Sequence, residues 1–271
     1  MIEAKRVFVF GLDGVAGWAM REAYTPHINY LFKDGVIMYT ARTVYPSSSF
    51  EAWGSLFHGV GPEKHGISGA SPCPEETPWP SFFKVALSAY SKARCCFFSC
   101  WEPIITHIVE PSVRERCRTL SLSDPYLVKA AARFIAEKRP ELFFIQLDSP
   151  DYFGHKYGWG SKKYMKHLTV VDRFIGILVD SMKDAGIFEE SIIITVSDHG
   201  GIGKKHGTAD PECMNIVWGC RGPGINRDAE LQNINIMDTP AVIAEALGLK
   251  RPKGWDSKLP NNLFKKARPV I

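Results

Sequence analysis

The chain has 271 residues, of which 45% are hydrophobic and 23% charged, and its formal net charge is +4. This composition is typical of a globular protein with one substantial core, and we expect a single α/β domain over residues 1–271. The small and dispersed positive charge argues against binding of duplex nucleic acid. No apolar run approaches the roughly 20 residues of a membrane span.

The first predicted element is a strand over Arg6–Leu12, an apolar run that is followed directly by Asp13. A carboxylate at the end of a buried strand needs a partner, because an unpaired buried charge is costly. Asp13 is therefore either a metal ligand or catalytic carboxylate, or an ordinary turn or capping residue. A short helix over His27–Lys33 and a second strand over Gly35–Val44 follow.

Three consecutive serines, Ser47, Ser48 and Ser49, stand at the entry to an apolar segment that runs to His58. Serine in this position is typical of a helix N-cap, and the free amide groups of a helix N-terminus attract phosphate. One of the three could instead be a nucleophile that a metal or a base activates. Both interpretations apply to each of the serines.

Residues 69–122 are predicted to form a small, loop-rich cap region of the same domain. Within it we expect a helix over Ser81–Tyr90 and a strand over Arg94–Trp101, and we assign no element over Glu102–Leu122. Aromatic side chains here either stack on a nucleobase or, more commonly, pack in the core. They are Trp79, Phe82 and Phe83.

A helix is predicted from Asp124, and a strand over Glu141–Leu147 comes next. Asp151 and His155 follow this strand, and their spacing of four residues would bring both groups round one turn toward a common point. A carboxylate and an imidazole are a ligand pair suited to zinc or a similar divalent metal. The long helix predicted over Ser161–Gly186 carries an apolar stripe that indicates core packing.

The β-branched run Ile192–Val196 predicts a strand that is buried on both faces. Ligands of open α/β sheets bind beyond the carboxyl ends of the strands, so Asp198 and His199 would project into a site. His206 could return to that site after a short loop. The alternative is a buried strand followed by an ordinary polar turn. A further short strand is predicted over Met214–Gly219.

Acids and histidines therefore follow three separate predicted strands. They make two sets of three, which is enough for a two-metal centre with open coordination positions. A serine at a helix start could bridge the two metals. The six residues are Asp13, Asp151, His155, Asp198, His199 and His206.

These residues lie in ordered motifs that resemble the nucleotide pyrophosphatase/phosphodiesterase family of the alkaline phosphatase superfamily. The matching blocks are Phe10–Gly14, Pro46–Phe50, Pro62–Ile67, Pro150–His155, Ser197–Gly200 and His206-Gly207. The resemblance covers most of the chain in discontinuous blocks. It implies an alkaline-phosphatase-like, mainly parallel sheet with helices on both faces, and a hydrolase that needs two divalent metal ions.

The resemblance also implies a role for each motif residue. One metal would be bound by Asp151, His155 and His206, and the other by Asp13, Asp198 and His199. Ser49 matches the nucleophilic threonine of the family, and it would contact both metals and form a phosphoserine intermediate. The family often has an asparagine a few residues past the His-Gly-Ile block, but Ser68–Ser71 contains none. The backbone amide of Phe50 is the expected replacement.

The predicted function is hydrolysis of phosphodiester or pyrophosphate bonds in a small phosphoester such as a nucleotide. The alternatives are a phosphomonoesterase on the same core and a non-catalytic, metal-dependent binding module. A sulfatase is disfavoured because Ser47–Phe50 lacks a maturation pattern resembling that of sulfatases. Mixed histidine and carboxylate ligands suit zinc, with manganese or iron as alternatives.

The seven cysteines show no paired, metal-type spacing. Reduced and mostly buried thiols explain them best, and the first residues of the chain do not resemble a signal peptide. The sequence therefore predicts a cytoplasmic protein without a membrane partner. It gives no indication of the oligomeric state.

Overall fold

The computed structural model describes residues 4–265, and its centre is a single sheet. The strands are β1 (Arg6–Leu12), β2 (Gly35–Arg42), β3 (Cys95–Ser99), β4 (Arg118–Ser121), β5 (Leu142–Leu147), β6 (Ser191–Ser197) and β7 (Asn215–Arg221). Their order across the sheet is β2-β7-β6-β1-β5-β3-β4. Pairs are parallel except where β7 meets β2 and β6.

Helices connect most of these strands within residues 4–265. They are α1 (Gly17–Glu22), α2 (Pro26–Phe32), α3 (Ser49–His58), α4 (Pro62–His65), α5 (Phe82–Ala89), α6 (Pro111–Arg116), α7 (Asp124–Lys138), α8 (Ser149–Tyr157), α9 (Lys162–Asp184), α10 (Pro211–Met214) and α11 (Thr239–Ala246). A π-turn covers Ile104–Ile108 and a 3-10 turn covers Ile236–Asp238. Of the helices described, none has the length and apolar character to span a bilayer.

Side-chain alternation along the central strands divides the core into two layers. On β1, Val7 and Val9 pack on the face that α3, α5 and α11 cover, whereas Phe8 and Phe10 pack on the face that α7 and α9 cover. Strands buried on both faces read as continuous apolar runs, which explains why β1 and β6 are evident in the sequence. The predicted mainly parallel sheet with helices on both faces is confirmed.

Most boundaries differ from the predicted ones by one to three residues. The strand predicted to reach Val44 ends at Arg42, and the helix predicted over His27–Lys33 covers Pro26–Phe32. The long helix starts at Lys162 because Ser161 is its N-cap and its side chain accepts a hydrogen bond from the amide of Tyr164.

The predicted cap region, residues 69–122, contributes β3 and β4 to one end of the sheet. Phe82 and Phe83 are fully buried, so they pack in the core and are not available to stack on a ligand. The segment without a sequence assignment forms the π-turn, α6 and the edge strand β4. The single catalytic domain with a cap remains a prediction.

Candidate metal centre

Three neighbouring parallel strands bring the predicted site residues to one edge of the sheet. Asp13 directly follows β1, Asp198 and His199 directly follow β6, and α8 begins two residues after β5 ends. Strand β1 lies between the other two, and all three run in the same direction. Their carboxyl ends therefore converge, as the sequence predicts for a ligand site in an open α/β sheet.

The first cluster is completely buried and consists of Asp13, Asp198 and His199. The Nε2 atom of His199 lies 3.6 Å from Oδ1 of Asp13 and 3.4 Å from Oδ2 of Asp198. The other oxygen of Asp198 accepts hydrogen bonds from the amides of Gly14 (3.0 Å) and His199 (2.8 Å). Its Oδ2 atom has no hydrogen-bond partner among the described residues, so it is free to bind a cation.

The second cluster is closer to solvent and consists of Asp151, His155 and His206. The Nε2 atoms of His155 and His206 lie 3.4 Å and 3.8 Å from the two oxygens of Asp151. Within the described part of the chain, Oδ1 of Asp151 is buried without a hydrogen-bond partner. The two clusters are adjacent, because the rings of His199 and His206 stack with their centroids 3.9 Å apart.

The three histidines share one hydrogen-bonding pattern. In each ring Nδ1 faces a backbone carbonyl oxygen, that of Gly200 at 2.8 Å, Lys204 at 3.0 Å or Ser47 at 3.1 Å. A carbonyl oxygen only accepts, so Nδ1 carries the proton and the Nε2 lone pair is directed into the clusters. This is how proteins commonly orient histidines that bind metals.

The electrostatics of the two clusters also fit cations. Burial, and then the neighbouring carboxylates Asp198 and Asp148, raises the pKa of Asp13 well above its usual value. Burial and the charges of Asp13 and Asp148 raise the pKa of Asp151 to about 9. Burial, and then His206, lowers the pKa of His199 well below its usual value. A divalent cation would stabilise the ionised form of these crowded carboxylates and could also bind the neutral imidazoles.

Ser49 is the serine whose hydroxyl faces the centre. It is the first residue of α3, and its Oγ lies 3.4 Å from Oδ1 of Asp13 and 3.3 Å from Nε2 of His199. The hydroxyl of Ser47 instead donates to the carbonyl oxygen of Thr208 at 2.7 Å, and the hydroxyl of Ser48 donates to Glu51. The serine that faces the centre is thus the one that the resemblance matches to the family's nucleophile, whereas the residue pattern alone left the three serines equivalent.

Two polar contacts to Asp13 were not predicted from the sequence. Its Oδ2 accepts hydrogen bonds from Nε1 of Trp53 (3.0 Å) and Nε2 of Gln146 (2.8 Å), which leaves Oδ1 facing Ser49. Gln146 offers a sequence signal, since it is a polar residue inside the apolar strand β5. Trp53 lies four residues after Ser49 and therefore projects from the same side of α3.

Gly14 permits the close approach of β1 to α8. Its φ is +67°, and a Cβ atom at this position would lie 2.7 Å from the backbone Cα of Asp151. The carbonyl oxygen of Gly14 accepts hydrogen bonds from Nε1 of Trp159 at 2.8 Å and from the hydroxyl of Tyr164 at 2.9 Å. Any side chain here would separate the two clusters.

The expected phosphate donor is a backbone group at the start of α3. Ser49 and Phe50 lie in its first turn, where amide groups have no partner within the helix. The Phe50 ring packs edge-on against Trp101, with centroids 4.6 Å apart, and also contacts His107. Residues Ser68–Ser71 form a tight turn with paired backbone hydrogen bonds between its ends.

Comparison with known families gives one match that covers most of the chain. Residues 7–207 match the family described as type I phosphodiesterase / nucleotide pyrophosphatase. This range begins in β1 and ends directly after His206, so it includes all six residues of the two clusters and Ser49.

Similar curated proteins carry related names. Ectonucleotide pyrophosphatase/phosphodiesterase family member 1 of Mus musculus is 26% identical over 226 residues, which is 73% of this chain and 24% of the relative. Venom phosphodiesterase CdcPDE of Crotalus durissus collilineatus is 28% identical over 225 residues, which is 73% of this chain and 26% of the relative. This chain thus spans about a quarter of the length of the relatives it matches.

Similar solved structures establish the fold. Murine ectonucleotide pyrophosphatase/phosphodiesterase 5, an inactive form in complex with AMP, superimposes with a TM-score of 0.76 at 15% identity, over 94% of this chain and 97% of that one. A 2-O GAG sulfatase also gives a TM-score of 0.76, at 11% identity, over 94% of this chain and 73% of that one. The predicted alkaline-phosphatase-like fold is confirmed.

Proposed function

Because this chain belongs to the type I phosphodiesterase / nucleotide pyrophosphatase family, we propose that it hydrolyses phosphodiester or pyrophosphate bonds with the help of two divalent cations. The observation that supports this most is the arrangement of free ligand atoms around one hydroxyl. Oδ1 of Asp13 and Nε2 of His199 lie 3.4 Å and 3.3 Å from the Ser49 hydroxyl, and the second cluster is adjacent to His199. The hydroxyls of Ser47 and Ser48 bond other groups.

In this proposal the two clusters hold one cation each: Asp151, His155 and His206 on one side, and Asp13, Asp198 and His199 on the other. The ligand chemistry suits Zn²⁺, and Mn²⁺ or iron would also be accepted. When bound, such ions lower the pKa of a nearby hydroxyl and offset negative charge on a phosphoryl group.

Ser49 is the proposed nucleophile. Its Oγ attacks phosphorus in line, so that the Oγ–P bond forms while the bond from phosphorus to the leaving oxygen breaks. Water then attacks the phosphoserine, the Oγ–P bond breaks, and the Ser49 hydroxyl is restored. The amides of Ser49 and Phe50 hold a phosphate oxygen at the α3 N-terminus, in the role of the asparagine that Ser68–Ser71 lacks.

A nucleotide is the proposed substrate class. One similar structure contains AMP, and the name of the Mus musculus relative refers to nucleotides. The exposed side of the Phe50–Trp101 pair, next to the nucleophile, offers aromatic surface for a base. We also retain cytoplasmic location as a proposal, which the seven free cysteines support.

The test combines elemental analysis of the purified protein with hydrolysis of bis-p-nitrophenyl phosphate and p-nitrophenyl phosphate. We expect two divalent ions per chain, faster hydrolysis of the diester, and loss of hydrolysis after chelation. Preference for the monoester would favour the phosphomonoesterase alternative. Bound metal without turnover of any phosphoester would favour the binding module, and absence of both would contradict the proposal.

A further inference from the structure

The two clusters are attached to the sheet in different ways. The residues of the first cluster directly follow β1 and β6, and these strands are paired as far as Leu12 and Ser197. The sheet itself therefore fixes the backbone of the first cluster. In the second cluster, Asp151 and His155 lie on α8, whose own backbone hydrogen bonds run along the helix axis and do not hold it against the sheet. Contacts outside the sheet must fix the position of α8.

The side chain that holds the start of α8 is Asp124, a buried acid at the beginning of α7. Its Oδ1 accepts a hydrogen bond from the amide of Asp148 at 3.0 Å, and its Oδ2 accepts one from the amide of Ser149 at 2.9 Å. The first amides of a helix have no partner within it, and Asp148, which precedes α8, does not cap them with its side chain. Asp124 thus caps α8 from a separate helix, and its charge interacts favourably with the helix N-terminus.

A second set of contacts fixes the rotation of α8. The hydroxyl of Ser149 lies 2.7 Å from Nε2 of His167 on α9, and the His167 ring stacks on that of Phe153 with centroids 3.8 Å apart. Ser149 and Phe153 are four residues apart, so they share one face of α8. Asp151 and His155 lie about 200° round the helix from that face, because each residue advances the chain by about 100°. Helix α8 therefore packs on α9 by one face and presents its two ligands on the opposite one.

We propose that Asp124 is a positioning residue for the second cation site, acting through the backbone of Asp148 and Ser149 without touching the ion. This inference rests on the proposed function, in which the second cluster holds one cation. The two amides lie at the start of the helical turn from which Asp151 projects, so their release would let that ligand move. Loss of a group that orients a ligand typically lowers metal affinity about 10–100-fold. The first cluster does not depend on α8 for its backbone and keeps its affinity.

Asp172 provides a matched control elsewhere in the fold. It is completely buried on α9, and its two oxygens accept hydrogen bonds from the consecutive amides of His27 (3.1 Å) and Ile28 (2.8 Å). These amides lie in the first turn of α2, which contributes no residue to either cluster. Asp124→Asn and Asp172→Asn each replace one acceptor oxygen by an amide donor. The two variants should therefore lose stability alike and differ in their effect on the cation.

The test measures Zn²⁺ affinity by competition with a fluorescent chelator, one site at a time. In an Asp198→Asn background only the second cluster keeps all its ligands, and in a His155→Ala background only the first cluster does. We expect Asp124→Asn to weaken Zn²⁺ binding about tenfold or more in the Asp198→Asn background and to leave it unchanged in the other. Asp172→Asn should leave both affinities unchanged. In the chain without background changes, the hydrolysis lost in Asp124→Asn should return when free Zn²⁺ is raised.

A milder variant, Ser149→Ala, removes only the hydroxyl that His167 contacts, and thermal melting establishes which variants are folded. It loosens the same end of α8 and should weaken the second site about threefold, as expected for one hydrogen bond. Equal second-site affinities in Asp124→Asn and Asp172→Asn would overturn the proposal, and so would an equal loss at both sites in Asp124→Asn. Failure of Asp124→Asn to fold, together with an unchanged second site in Ser149→Ala, would overturn it as well.

The readout also separates this inference from the proposed function. Selective loss of the second site in Asp124→Asn, in a protein whose wild type hydrolyses no phosphoester, would keep the positioning role and refute the hydrolase. Hydrolysis of bis-p-nitrophenyl phosphate by the wild type, together with equal Zn²⁺ binding by Asp124→Asn and Asp172→Asn, would keep the hydrolase and refute the positioning role. A wild-type protein that binds no divalent cation would refute both.

Discussion

Two regions of this protein bring histidine and carboxylate side chains together, and they differ in how many of the ligand atoms already have a hydrogen-bond partner. At the candidate metal centre, each of three histidines uses Nδ1 on a backbone carbonyl and directs Nε2 into the centre, where that of His199 lies 3.3 Å from the Ser49 hydroxyl. At the other end of α3, His58, Cys73 and Glu110 also lie close together. The two ring nitrogens of His58 both face carbonyl oxygens, those of Trp79 at 2.6 Å and Ile108 at 2.8 Å.

The acids show the same contrast. Both oxygens of Glu110 accept hydrogen bonds from Ser81, one from its amide at 2.8 Å and one from its hydroxyl at 2.6 Å. Asp151 and Asp198 each keep one buried oxygen without a partner. The Cys73 thiol donates to the carbonyl oxygen of Pro74 at 3.4 Å, and burial, followed by the charge of Glu110, raises its pKa to about 12.

The comparison indicates that, of these two clusters of ligand-type residues, the one with unsatisfied lone pairs is the better candidate for binding a cation. The His58–Cys73–Glu110 cluster is saturated by the protein and fastens the end of α3 to the segment that contains α5 and α6. The candidate metal centre contains buried carboxylate oxygens without a hydrogen-bond partner, and cations would bind them.

The largest expected effect is that of Ser49→Ala, which removes the proposed nucleophile and none of the six cluster residues. Hydrolysis of bis-p-nitrophenyl phosphate should fall about a thousandfold or more, while the metal content stays at two ions per chain. Ser48→Ala is the control, because the Ser48 hydroxyl bonds Glu51 and not the centre. Equal losses of hydrolysis in the two variants would contradict the assignment of Ser49 as the nucleophile.

The next effect separates the two buried acid environments. Asp198→Asn keeps the shape of the side chain and removes its charge, so one ion per chain should be lost and affinity at that position should fall more than about a hundredfold. Glu110→Gln is the matched change at the saturated cluster and should keep both ions. Inductively coupled plasma analysis after dialysis measures the metal content of both variants. A similar loss of metal in the two would contradict the difference between the two acid environments.

A smaller effect is expected from Trp53→Phe, which keeps a large ring and removes the donor to Oδ2 of Asp13. Asp13 would be held less firmly, so metal affinity should fall about tenfold, as measured by competition with a fluorescent chelator. Trp218→Phe is the control, since the buried Nε1 of Trp218 bonds Thr239 at 3.2 Å. The positioning role of Trp53 fails if both variants bind metal like the wild type.

The smallest expected effect on metal is that of His58→Phe, which should leave two ions bound. It removes the ring nitrogens that face the carbonyl oxygens of Trp79 and Ile108, so the free energy of unfolding should fall by about 2–4 kcal/mol. Urea denaturation of the metal-loaded protein measures this change. Loss of an ion without loss of stability would mean that this cluster, too, binds metal.

The sequence predicted the elements whose cause is local or periodic. Strand β1 was predicted over Arg6–Leu12 and has those bounds, because a run buried on both faces is apolar throughout. Edge strand β4 was not predicted, since the side chains of its four residues are only partly buried or exposed and the pattern is weak. The π-turn at Ile104–Ile108 has no simple sequence signature.

The prediction of site residues was limited in the same way, since it succeeded where the sequence pattern is local. The structure brings the six residues that were predicted as ligands into two adjacent clusters. Asp13, Asp198 and His199 directly follow strands that the apolar pattern reveals, whereas His206 returns to the site through a loop. The family resemblance pointed to Ser49, but the residue pattern alone could not choose among the three serines. That choice depends on where the hydroxyls of Ser47 and Ser48 point, and Thr208, distant in the chain, accepts the hydrogen bond of the first. Trp53 and Gln146 were missed because their contact with Asp13 exists only in the folded chain.

The most direct test of the central claim is anomalous diffraction from crystals of the protein grown with Mn²⁺ or Zn²⁺. We predict two strong peaks per chain, one among Asp151, His155 and His206 and one among Asp13, Asp198 and His199, and none at the His58–Cys73–Glu110 cluster. A peak at that cluster, or no peak at the end of the β1, β5 and β6 strands, would contradict the account.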